Sequence, residues 1–72
     1  MQTIYGYVEY IYTTWDLITI YVYEITDTVV RASILDGKPY LSLLRVDKCG
    51  RQYFIKQKHK VYIDQLERLY VI

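Results

Sequence analysis

Cys49 and His59 are the only cysteine and the only histidine of the chain. Covalent catalysis needs a nucleophile, a base and an orienting group that converge in space, so these two residues are the whole supply for a thiol–imidazole pair. Cys49 falls in a turn-forming stretch, Lys48-Cys49-Gly50-Arg51, where a free thiol is tolerated without any role. The eight acidic residues are scattered and form no obvious general acid–base pair. Gly6, Gly37 and Gly50 stand too far apart for a phosphate-cradling loop. One cysteine and one histidine give no metal-ligand spacing. The expectation is a non-enzymatic protein with no metal and no cofactor.

Two non-catalytic groupings remain. The first is aromatic: Tyr5, Tyr7, Tyr21 and Tyr23, extended by Tyr12 and Trp15. Tyrosine favours interfaces because its ring packs while its hydroxyl hydrogen-bonds. The competing reading is that another layer of the fold covers these rings. The second grouping is basic and aromatic. It runs from Arg45 through Lys48, Arg51, Tyr53, Phe54, Lys56, Lys58, His59 and Lys60 to Tyr62. Small β-barrels hold single-stranded nucleic acid with such residues, cations on phosphates and rings on bases. The competing reading is a solvated hairpin whose lysines discourage edge-to-edge aggregation.

Extended backbone would have to position both sets. Residues 3–12 and 17–25 alternate as strands do, joined by a loop at Thr13-Thr14-Trp15-Asp16. A loop of odd length puts Val8 and Tyr10 on one face with Ile18, Ile20 and Val22. It puts Tyr5 and Tyr7 beside Tyr21 and Tyr23 on the other; a one-residue slip would mix the sets. Residues 29–35 read as a third strand, with Asp36-Gly37 as a hairpin signal. The alternative is a helix over 28–35 capped by Thr26 or Asp27. Residues 40–47 read as a strand, with Pro39 before it at a sheet edge. A second hairpin, 52–57 and 60–63, turns around Lys58-His59. Asp64 then caps a short helical turn, with Glu67 completing a capping-box-like pair and Leu66 and Leu69 sealing one end of the sheet.

Composition agrees with this layout. Val, Ile, Thr, Tyr, Phe and Trp supply 34 of 72 residues, and Ala32 is the only alanine. β-Branched and aromatic side chains favour pleated surfaces, while alanine is the best helix former. The expected fold is all-β: one small domain over 1–72 with five or six antiparallel strands, as a sheet or barrel, and a short C-terminal helical turn. The alternative is α+β with the helix at 28–35.

Charge is divided between the halves. Residues 1–36 carry Arg31 against Glu9, Asp16, Glu24, Asp27 and Asp36, a net of −4. Residues 37–72 carry eight Lys or Arg against Asp47, Asp64 and Glu67, a net of +5. No apolar run approaches the ~20 residues of a membrane span, and the N-terminus lacks the basic and apolar regions of an export signal. A lone thiol then fits a cytoplasmic setting. The function expected is protein–protein recognition by an adaptor, subunit or small inhibitor, through the tyrosine face of Tyr5, Tyr7, Tyr21, Tyr23 and Trp15 or through an edge strand. Self-association into a homo-oligomer would help so small a core. Stand-alone chains of this size are frequent in viruses and mobile elements, a point of size alone. The alternative function is single-stranded nucleic-acid binding through Arg45, Arg51, Tyr53, Lys56, Lys58, Lys60 and Tyr62.

Overall fold

A computed structural model describes residues 7–35 and 37–69. The strands are β1 (Tyr10–Thr13), β2 (Thr19–Ile25), β3 (Val29–Ile34), β4 (Tyr40–Leu43), β5 (Arg45–Val46), β6 (Gln52–Lys56), β7 (His59–Tyr62) and β8 (Glu67–Arg68). One 3-10 turn, Ile63–Gln65, precedes β8. Every pairing is antiparallel, in a five-stranded sheet ordered β4-β3-β2-β1-β8 and a three-stranded sheet ordered β5-β6-β7. The fold is therefore all-β, and residues 29–34 are strand rather than helix. Thr26, a candidate helix cap in the sequence, caps a tight turn instead. Its hydroxyl oxygen accepts from the Thr28 and Val29 amides at 3.3 and 3.0 Å.

The first hairpin takes the unmixed register. Tyr10 pairs with Val22 and Tyr12 with Ile20, around a five-residue loop, 14–18. Ile20, Val22, Val30 and Ala32 of the larger sheet meet Phe54 and Val61 of the smaller one, and all six are fully buried. Burying a side chain of the Val, Ile or Phe kind contributes roughly 1.5–3 kcal/mol. Tyr10, Tyr12, Ile18 and Leu66 pack around this centre half-buried. Leu66 thus serves the sealing role expected of it, while Leu69 stays on the surface.

Several boundaries differ from the sequence reading: among the described residues the first strand, expected over 3–12, is Tyr10–Thr13, and the second, expected over 17–25, begins at Thr19. The strand expected over 40–47 divides at Leu44, which packs against the core while its amide donates to the Thr28 carbonyl at 2.9 Å. The chain so passes from one sheet into the other through a single residue. The β6–β7 turn lies at Gln57-Lys58, one position before the expected Lys58-His59. Both residues have positive φ, 51° and 67°, and Lys56 pairs with His59 across the closure. This placement sets Phe54 directly against Val61. The helical turn begins at Ile63, with Tyr62 at its cap position and no side-chain cap bond. Asp64 lies inside it bound to Arg51, and Glu67 opens β8 rather than completing a capping box. Pro39 precedes β4, an edge strand, as its missing amide requires.

Candidate interaction surface

Of the expected tyrosine face, Tyr21 and Tyr23 share one side of β2, but among the described residues they do not present an open cluster of rings. Tyr5 lies outside the described residues. Tyr7 is exposed, Tyr21 half-buried, and Tyr23 only 8% exposed. The β2–β3 register shifts at a β-bulge between Val22 and Glu24, leaving Tyr23 without a partner on β3. Tyr23 keeps the side of Tyr21, opposite Val22, and is buried there against Ser33 and Arg31, while the bulge turns Ile25 back to the core. The Ser33 hydroxyl donates to the Tyr23 oxygen at 3.1 Å, and the Arg31 guanidinium sits 5.5 Å from the ring centroid. Tyr12 turns to the core. Trp15 lies on no sheet face; it projects from the β1–β2 loop, 88% exposed.

The basic-aromatic segment fares better. Arg45 pairs with Tyr53, Tyr53 with Tyr62, and Ile55 with Lys60. Alternation therefore puts Arg45, Tyr53, Ile55, Lys60 and Tyr62 on the outer face of the smaller sheet, opposite Phe54 and Val61. The two rings lie 5.4 Å apart at 42°. The Lys60 ammonium sits 4.9 Å from the Tyr53 centroid, and the Arg51 guanidinium 4.0 Å from that of Tyr62. Two of the expected residues fall elsewhere. Lys56 lies on the Phe54 side of β6 with its ammonium 5.2 Å from the Tyr40 ring, and burial pushes its pKa down. Lys58 occupies the hairpin tip.

Acidic side chains pin this face from one end. Asp64 accepts two bonds from Arg51, at 3.0 and 2.9 Å, which hold its carboxyl below the usual range and raise the guanidinium. Asp47 accepts the backbone amides of Arg51 and Cys49, both at 2.9 Å, and a bond from the Tyr62 hydroxyl; its pKa is lowered chiefly by the Arg51 amide. Burial and then the Asp47 bond raise the pKa of Tyr62. Arg51, Asp47 and Asp64 so satisfy one another. A shallow groove beside them is lined by Val46, Asp47, Lys48, Cys49, Tyr53 and Lys60.

The same outward side continues along the strand into the larger sheet, two and four residues before Arg45. Leu43 and Leu41 stand there at 64% and 66% exposure, while Ser42 and Leu44 between and after them turn inward. Sequence reasoning missed these leucines. The available signal was the alternation Leu41-Ser42-Leu43, but a serine facing in and leucines facing out invert the ordinary sorting.

Cys49 is exposed in the β5–β6 turn, and His59 sits at the other end of β6. A five-residue strand spans about 16 Å, so thiol and imidazole do not meet. His59 Nε2 faces the Asp16 carboxylate at 3.4 Å. Among the described residues, no group of three or more His, Cys, Asp or Glu side chains could hold a metal ion, and no helix is long and apolar enough to cross a membrane. No protein-family model, curated protein or solved structure matches the chain.

Proposed function

We propose that this domain is a non-catalytic protein-recognition module whose contact surface is the outer face of β4 to β7. Leu41, Leu43 and Ile55 form its apolar part, and Arg45, Tyr53, Lys60 and Tyr62 its polar and aromatic part. The observation that carries the reading is the exposure of Leu41 and Leu43 in line with Arg45 on one strand. Scattered exposed leucines are ordinary, but two exposed leucines on one side of a strand with an arginine following on that side resemble the make-up of protein interfaces. The rigid platform beneath it, with Phe54 and Val61 buried directly behind, keeps the ordering cost of binding low.

Single-stranded nucleic acid is the second reading, favoured by the Tyr53–Tyr62 pair with its cations. Two features weigh against it. The rings already pack against each other at a tilt, with Lys60 over one and Arg51 over the other, whereas base binding needs open ring faces. Leucines at 41 and 43 offer nothing to phosphates.

The test is a selection of random peptides displayed against the immobilised domain, followed by binding to a Leu41→Asn/Leu43→Asn variant. The expected result is a set of peptides that bind the parent and lose about tenfold or more in affinity for the variant, a loss of about 1.4 kcal/mol. Equal binding to both proteins, or no enrichment, refutes the assignment. Titration of oligo-dT and oligo-rU at low salt separates the alternative: tight binding that falls steeply with salt would favour it.

A further inference from the structure

The β1–β2 loop is built to present two apolar side chains to something outside the molecule. Thr14 is buried at its base. Its carbonyl accepts from the Leu17 amide at 3.0 Å, and its hydroxyl accepts from the Ile18 amide at 2.9 Å and donates to Asp16. Asp16 in turn faces His59 on β7. On this braced loop Trp15 and Leu17 are 88% and 82% exposed, the two most exposed large apolar residues described. The described residues leave them uncovered.

We propose that the domain associates head-to-tail with second copies of itself, the Trp15-Asp16-Leu17 tip of one molecule seating on the Leu41–Leu43 face of the next. The proposal rests on the reading of that face as a protein-recognition surface and names its occupant. Charge decides the geometry. Arg45, Lys48 and Lys60 have no carboxylate partner among the ion pairs of the described residues, because Asp64 is held by Arg51 and Asp47 by backbone amides and Tyr62. A symmetric dimer through this face would set those cations against their own copies, which is unfavourable in a water-poor contact. Between its two apolar residues the loop carries Asp16, whose side chain is 36% exposed. Apolar-acidic-apolar therefore meets apolar-basic-aromatic.

A heterologous contact of this kind leaves one loop and one face free in every pair, so growth continues past the dimer. One loop tip on one strip buries far less than a standard interface, which sets the affinity in the weak range, about 0.1–1 mM.

Trp15 is the only tryptophan, so its emission reports on its own surroundings. The experiment is sedimentation and tryptophan fluorescence of the full chain from about 10 μM to about 1 mM at low salt. The expected result is a mass that climbs beyond two copies while Trp15 emission moves to the blue. Trp15→Ser and Leu41→Asn/Leu43→Asn should each abolish growth while keeping the parent's circular dichroism. Mixed together they should restore association limited to pairs, since each retains one intact partner surface. A chain that stays monomeric at the highest concentration overturns the proposal. So does a blue shift that persists in the leucine variant, or a mass that stops at two with no rescue on mixing. Monomeric behaviour together with display-selected peptides that need Leu41 and Leu43 would refute the self-contact alone. Failure of both would remove the face itself.

Discussion

Replacing Gln57-Lys58 by Asn-Gly should stabilise the protein by about 1–2 kcal/mol. Both residues sit in the left-handed region, at φ 51° and 67°, between a directly paired Lys56 and His59. That is the two-residue turn whose twist matches antiparallel strands, and whose preferred residues are asparagine then glycine. A left-handed conformation costs an ordinary L-residue about 1–2 kcal/mol, glycine nothing, and asparagine less than most. Lys58→Gly recovers that strain but adds up to about 1 kcal/mol of unfolded-state entropy. Gln57→Asn recovers a further fraction without that cost. A net gain of about 1–2 kcal/mol corresponds to a melting temperature higher by roughly 5–15 °C in a domain of this size. Urea and thermal unfolding followed by far-ultraviolet circular dichroism measure it, with Lys56 and His59 unchanged as the flanking pair. An unchanged or lowered midpoint would refute the turn geometry, because only a turn at 57–58 places both asparagine and glycine at left-handed positions.

Three further outcomes follow from the same structure. Phe54→Ala should lower the stability by about 3–5 kcal/mol, a large share of the about 4–11 kcal/mol a chain this long holds; a loss under about 1 kcal/mol in urea unfolding would contradict its place at the centre of the core. Tyr23→Phe should lower stability by about 0.5–1.5 kcal/mol in urea unfolding, through loss of the Ser33 bond; no change would mean that the hydroxyl is not held inside. Asp16, Asp47 and Asp64 all have folded-state pKa values below the ordinary carboxylate range, so their support is complete above that range and is lost as pH falls through the folded values. The urea midpoint should accordingly be lower at pH 3 than at pH 6, and less so in Asp16→Asn; equal midpoints in the parent protein would rule this out.

The strands and the first hairpin's register could be read from the sequence because alternation there is unbroken from Ile18 to Val22, with Tyr10 and Tyr12 completing the pattern. Tyr23 could not be read. Alternation places it beside Tyr21 and Ser33 but does not say that this side is closed there, and the bulge that follows, which returns Ile25 to the core, leaves no compositional mark. The position of the β6–β7 turn was hidden for a different reason. Shifting it by one residue moves Phe54 from Val61 to Ile63, and in an extended chain the two share one face, so the hydrophobic pattern is identical either way. Within the candidate surface, the cations and tyrosines of segment 45–62 announced themselves by density. Leu41 and Leu43 did not, because leucine is read as core until its neighbours show otherwise.

Leu44 is the joint at which one continuous strand leaves the larger sheet and enters the smaller, tied by its amide to Thr28 and by its side chain to the shared interior. Neither layer has a seam along which it can detach, because peeling β3 from β4 tugs on the residue that leads straight into β5. The amides of Val30 and Ala32 should therefore exchange with deuterium at the same rate as those of Phe54 and Val61, the slow limit being set by one global opening rather than by two separate ones.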